Sequence, residues 1–288
     1  MALAVAARAA DFVGLARYGL FGTAPYREYL RRTESRLRAL RGQGVEVHLR
    51  VFDAADYEDY CEAFGLDPGE AAARVAYAAD PQLAGEPFVY AGERLAELLP
   101  VLVDDHRARV RISVAGEALL DAVGDGPYGQ RRLVAVMRFV TAAYLALAGG
   151  AGEGCHLLTL RCHGPEDGEE LTAAADVRVE GGRLVGTGRD AEAFCVTLAA
   201  GVAARGSGAL LLHGDPAASA GPQVRGWALA GGRLRPMAVQ EVADSLTDDA
   251  DRGLPFPPGA VRLPGFPLPD GPSAAGPSGA EDGGEPLG

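Results

Sequence analysis

Residues 149–154 read GGAGEG, and this run decides the fold because it separates two segments of different hydrophobic pattern. Before it, apolar residues recur at helical spacing; after it, residues 155–163 (CHLLTLRCH) open a series of short extended runs joined by glycine pairs. The reading is an α+β protein: a helix-rich N-terminal half, residues 1–149, packed with a largely antiparallel sheet half, residues 150–253. A Pro/Gly-rich tail, residues 254–288, follows. It holds nine of the 19 prolines without apolar periodicity and reads as disordered, with docking of Phe256, Leu263, Phe266 and Leu268 on the parent domain as the alternative.

Working outward through the first half, Tyr26, Tyr29, Leu30, Leu37 and Leu40 predict a helix over 25–41. Gly42 and Gly44 stop it, and Val45, Val47, Leu49 and Val51 then alternate as a half-buried strand. An acidic aromatic helix is expected over 54–64, another begun by Asp67-Pro68, a short strand at 88–91, and helices at 93–104, 115–123 and 128–147. The N-terminal MALAVAARAA reads as frayed or helical. In the second half the expected order is a strand at 155–163, a hairpin at Gly181-Gly182, a helix at 190–204, a strand at 209–213 and a hairpin at Gly231-Gly232. His163-Gly164 and Gly181-Gly182-Arg183-Leu184 recur 50 positions later as His213-Gly214 and Gly231-Gly232-Arg233-Leu234, which suggests a weak duplication.

Composition excludes several chemistries. The chain has no lysine, so all 27 basic residues are arginines, and a Walker A loop, a pyridoxal-phosphate Schiff base and the kinase phosphate-binding strand are ruled out. The absence of asparagine and the single isoleucine, Ile112, point to a G- and C-rich coding sequence. A net charge of −12 opposes nucleic-acid binding, which needs a basic stripe. Cys61, Cys155, Cys162 and Cys195 contain no CxxC pair, so reduced thiols and a cytoplasmic location are expected. Residues 133–148 are apolar but short for a membrane span and carry Arg138, which costs about 2.5–3.5 kcal/mol at a bilayer centre; a buried helix is the reading.

The stretches YGLFGT (18–23) and FDAADYEDYCEAFGLDP (52–68) resemble conserved hypothetical proteins encoded by high-GC bacteria, a family without assigned activity. The resemblance implies an uncharacterised bacterial cytosolic protein and transfers no catalytic residue.

Three groups are candidates for chemistry. Cys155, His156, Cys162 and His163 invite a zinc reading, but on one strand the same-face pairs lie about 20–27 Å apart, so no metal and no cofactor is expected. Two strands end in His-Gly, and if they exit at one sheet edge His163 and His213 meet, with Asp215, or Glu166 and Asp167, orienting an imidazole as general base. Asp104-Asp105-His106 sits near an expected helix end, where His106 complements the dipole. On the helix at 54–64, Tyr57, Tyr60, Cys61 and Phe64 form the apolar face and Asp56, Asp59 and Glu62 face water, a surface suited to an arginine-rich partner. No catalytic motif is complete. The leading reading is an accessory or regulatory protein that binds another protein or a small molecule, without membrane or nucleic acid; the alternative is a small-molecule hydrolase or transferase using His163, His213 and Asp215.

Overall fold

The structure, a computed structural model, describes residues 1–81, 88–163, 170–185, 188–214, 221–251 and 259–272. The chain forms two compact units, Met1–Arg109 and Val110–Gly288.

The first unit is built on a three-stranded sheet, β1 (Ala2–Val5), β2 (His48–Val51) and β3 (Phe88–Val89), in that spatial order. β1 and β2 are parallel, with Ala2 opposite His48 and Val5 opposite Val51, and β3 runs antiparallel to β2. Parallel strands need a crossover, supplied here by α1 (Ala9–Ala16) and α2 (Tyr26–Gly42). Strand alternation sends Leu3, Val5, Leu49 and Val51 to one face, where they pack with Leu37 of α2 and with Leu95, Leu98 and Leu102 of α5 (Leu95–Val123). Ala4, Ala6 and Phe52 go to the other face, against Tyr57 and Cys61 of α3 (Ala54–Phe64) and Ala73 and Tyr77 of α4 (Ala71–Ala79). The unit therefore has three layers, with β1 at the sheet edge.

Two expectations are corrected. The N-terminal residues, read as frayed or helical, are β1; alanines at 2, 4, 6 and 7 hid a strand whose Val5 is fully buried. The helices expected at 93–104 and 115–123 are one helix, Leu95–Val123, because the charged stretch between them closes its own i,i+4 pair, Asp105 to Arg109 at 2.7 Å. His106 therefore stands in mid-helix and does not serve a helix C-terminus.

The second unit carries α6 (Gly126–Ala151), then β4 (Gly154–His163), β5 (Glu170–Glu180), β6 (Arg183–Val185) and α7 (Arg189–Ala203). The order of three strands and a helix then repeats as β7 (Gly208–Gly214), β8 (Gln223–Ala230), β9 (Arg233–Pro236) and α8 (Val239–Asp251). The glycine run at 149–154 is the step from α6 into β4. Gly181 and Gly182, with φ of 59° and 69°, and Gly231 and Gly232, with φ of 58° and 79°, make both expected hairpins in the left-handed conformation that two-residue turns need. β4 and β7 pair antiparallel at the centre of the sheet with Leu160 opposite Leu210, so two positions 50 apart face each other across the pair.

Leu158, Leu160, Leu210, Leu212, Trp227 and Leu229 fill the face covered by α6 and α7, while Ala209, Leu211 and Val224 meet Val242 and Leu246 of α8 on the other. Gly201 lets α7 press on the sheet, since a Cβ there would stand 2.9 Å from Cys162 Sγ. α6 is long and apolar enough to cross a membrane by length and composition, and its Val136, Phe139, Val140, Ala143 and Leu147 are buried in the core of this unit.

Part of the Pro/Gly-rich tail is structured. Residues 261–264 form β10 (Val261–Pro264), parallel to β8, and Trp227 Nε1 donates to the Phe266 carbonyl at 2.7 Å. Phe266 and Leu268 pack on the core, so the docking alternative describes these residues. Phe256 and residues 273–288 lie outside the described residues.

Candidate functional site

A cleft of about 730 Å3 opens in the first unit along the outer edge of β1. That volume lies within the range of ligand pockets, roughly 300–1,000 Å3. Leu3, Phe21 and Phe52 make its floor apolar; Tyr29, Arg32, Thr33 and Arg36 come from α2; Ala71, Arg74, Val75, Ala78 and Ala79 come from α4. The helical spacing of α2 sets the first wall, because residues 29, 32, 33 and 36 share one face. No acidic residue among the described residues lines the cleft. Arg32 is held by Glu28 at 2.7 Å, whereas Arg36 and Arg74 have no carboxylate partner among the described residues. Three guanidinium groups over an apolar floor, in a chain of net charge −12, make a local positive site.

A polar cluster occupies the ends of the two parallel strands. Arg8, just after β1, donates to Asp11 at 2.6 and 2.8 Å and also to Asp53, which follows β2. Asp53 caps α3 by accepting from Ala55 N–H at 2.9 Å and Asp56 N–H at 3.3 Å. Asp56 stands 3.7 Å from His106 Nε2. Burial, then the neighbouring Asp53, raises the Asp56 carboxyl, and burial lowers His106 against the pull of Asp56. Arg8, Asp11 and Asp53 satisfy one another, so this group clamps the two strand-to-helix turns together.

His163 ends β4, is exposed and lies 3.7 Å from Glu170. His213 is 6% exposed near the end of β7, with Nε2 3.2 Å from Thr159 Oγ1 and Nδ1 without a partner. The register sets His213 opposite Leu157, six residues from His163 along β4, a separation of about 20 Å. Neighbouring antiparallel strands exit at opposite ends, so a shared His-Gly ending separates the two imidazoles. Asp215, Glu166 and Asp167 lie outside the described residues. On α3, Asp59 and Glu62 are exposed, while Asp56 is half-buried towards His106, so only two of the three acids face water. Tyr57, Tyr60 and Cys61 are buried as expected from their spacing; Phe64 is exposed and lies 4.7 Å from the Tyr60 ring.

Burial alone pushes His213 down to about 4, which gives a sign to its pH dependence. The unfolded chain takes up this proton near pH 6.5, earlier than the folded one, so stability is full above pH 6.5, falls as pH drops and levels off below about 4. The loss from this group is about 3 kcal/mol. Urea unfolding at pH 7 and pH 4.5 should show it, and His213→Gln should remove one proton's worth of slope; an unchanged slope would mean that the ring is charged when folded.

Arg32, Arg36 and Arg74 are the site residues that sequence reasoning missed. The signal available was the i,i+4 arginine pair on the face of α2 that also carries Tyr29. Among known proteins, residues 1–93, which include every described residue lining the cleft, match the family described as Domain of unknown function (DUF8829). No curated protein and no solved structure matches the chain.

Proposed function

We propose that the protein is an accessory or regulatory binding protein without catalytic activity, and that its first unit takes an anionic, partly apolar ligand in the cleft beside β1. The observation that carries this reading is the cleft itself: an apolar floor with Arg32, Arg36 and Arg74 around it and no acid among the described residues of its lining. A ligand anion meets the guanidinium groups of Arg36 and Arg74, which no carboxylate among the described residues holds, and its apolar part covers Leu3 and Phe52. Among the described residues no nucleophile lines the cleft beside a general base, which favours holding over transforming.

The test uses 8-anilinonaphthalene-1-sulfonate, an amphipathic anion whose emission rises on burial. It should bind saturably, and Arg36→Glu with Arg74→Glu should weaken it at least tenfold while leaving the melting temperature within about 2 °C, since surface changes of this kind cost little stability. Affinity unchanged by the double reversal would reject the cleft as the site.

A further inference from the structure

We propose that the ligand of this cleft is an extended, acidic peptide that adds to the free edge of β1 as a further strand. The inference rests on the reading of the cleft as a binding site and adds the chemical class of its occupant.

His48 N–H donates to the Met1 carbonyl and Phe52 N–H to the Val5 carbonyl. With Ala2 opposite His48 and Ala4 opposite Arg50, the N–H and C=O groups of Leu3 also turn towards β2. Those of Ala2 and Ala4 turn the other way, into the cleft that both residues line. No group among the described residues takes them. The next outward group is different: Ala6 N–H donates to the Tyr29 hydroxyl at 3.0 Å. The edge is thus open beside Ala2 and Ala4 and closed at Ala6.

The walls fit the same occupant. α4 packs with the face of the sheet that carries Ala4 and Phe52, and α2 reaches both faces, through Leu37 on one and Tyr29 on the other, so both helices wall the cleft beside β1. A strand seated about 4.8 Å from β1 makes main-chain bonds to Ala2 and Ala4 and turns alternate side chains towards each helix. Towards α2 they meet Arg32 and Arg36, and towards α4 they meet Arg74. Charge therefore selects acidic residues. A second copy of β1 brings no carboxylate to these three arginines and adds three more of the same sign.

The test selects a phage-displayed library of random decapeptides against the full-length protein and titrates the enriched peptides by fluorescence polarisation. Acidic residues should be enriched at alternate positions, and Arg74→Glu should weaken binding at least tenfold. Ala4→Pro removes an edge donor without touching the ladder to β2, so it should weaken the peptide at least tenfold. Should Ala4→Pro fail to fold, N-methylation of the peptide asks the same question: one set of alternate positions should abolish binding and the intervening set should be tolerated. Peptides indifferent to both Ala4→Pro and N-methylation would overturn strand addition. So would a dimer that Ala4→Pro dissolves, or a library without acidic enrichment while the sulfonate still binds in an arginine-dependent manner. In those cases the cleft reading survives. Loss of arginine-dependent sulfonate binding would instead sink the cleft reading on which this inference stands.

Discussion

Trp227→Ala should destabilise the second unit by about 3–5 kcal/mol, the cost of truncating a fully buried large aromatic side chain. Trp227 is 0% exposed, lies edge-on to Phe266 with centroids 4.9 Å apart, and donates its indole N–H to the Phe266 carbonyl. Truncation therefore opens a cavity in the core and releases the segment that carries β10. Trp227→Phe keeps most of the packing but strands the carbonyl, so its cost should be smaller, about 1–3 kcal/mol. Urea unfolding followed by circular dichroism measures both, since the variants remove the chain's single tryptophan as a fluorescent reporter. A cost below 1 kcal/mol for the alanine variant would contradict the pairing of β8 with β10.

In the first unit, Arg50→Ala should cost about 2–4 kcal/mol. Arg50 sits on β2, only 9% exposed, and its guanidinium donates to the carbonyls of Tyr77 and Asp80 at 2.5 Å each. The Tyr77 carbonyl belongs to the last turn of α4, where a helix leaves carbonyls without intrahelical donors, and Asp80 is the residue that follows the helix. The guanidinium also lies 5.4 Å over the Tyr77 ring. Removal takes the guanidinium donor from both carbonyls beneath a helix that forms one wall of the cleft. Hydrogen exchange should accelerate along α4 in this variant, and Arg50→Lys, with a single compact ammonium in place of the fork, should restore only part of the stability. Unchanged exchange in α4 would show that its last turn is held by other means.

Local chemistry made much of the fold legible. Asp53 at the N-cap and Gly65 in the left-handed conformation at the C-cap bound α3 where the sequence placed it, and the glycine pairs located both hairpins. Elements without such marks were missed. Val5 is the only β-branched residue of β1, and α1 begins beside Arg8 without a side-chain cap. The candidate site was less legible than the fold. The choice of His163 and His213 rested on two like strand endings, and the direction of pairing that separates them is set by tertiary contacts. The cleft is assembled from residues 1–4, 20–21, 29–36, 52 and 71–79, none of which carries a catalytic or binding motif; what brings them together is the position of β1 at the edge of its sheet.

The placement of β10 bears on how the chain matures as it is made. The first unit is contiguous, from Met1 to Arg109, so every strand and helix that builds the cleft leaves the ribosome before the second unit begins. The outer edge of β8 is covered at one end by β9, an immediate neighbour in sequence, and at the other by β10, which emerges some 30 residues later. Until it arrives, Gln223 to Gly226 present a bare strand edge and Trp227 has no carbonyl for its indole N–H. A nascent chain halted between α8 and β10 carries a finished ligand cleft on one unit and an adhesive edge on the other, and that interval is where association with other nascent chains is most dangerous.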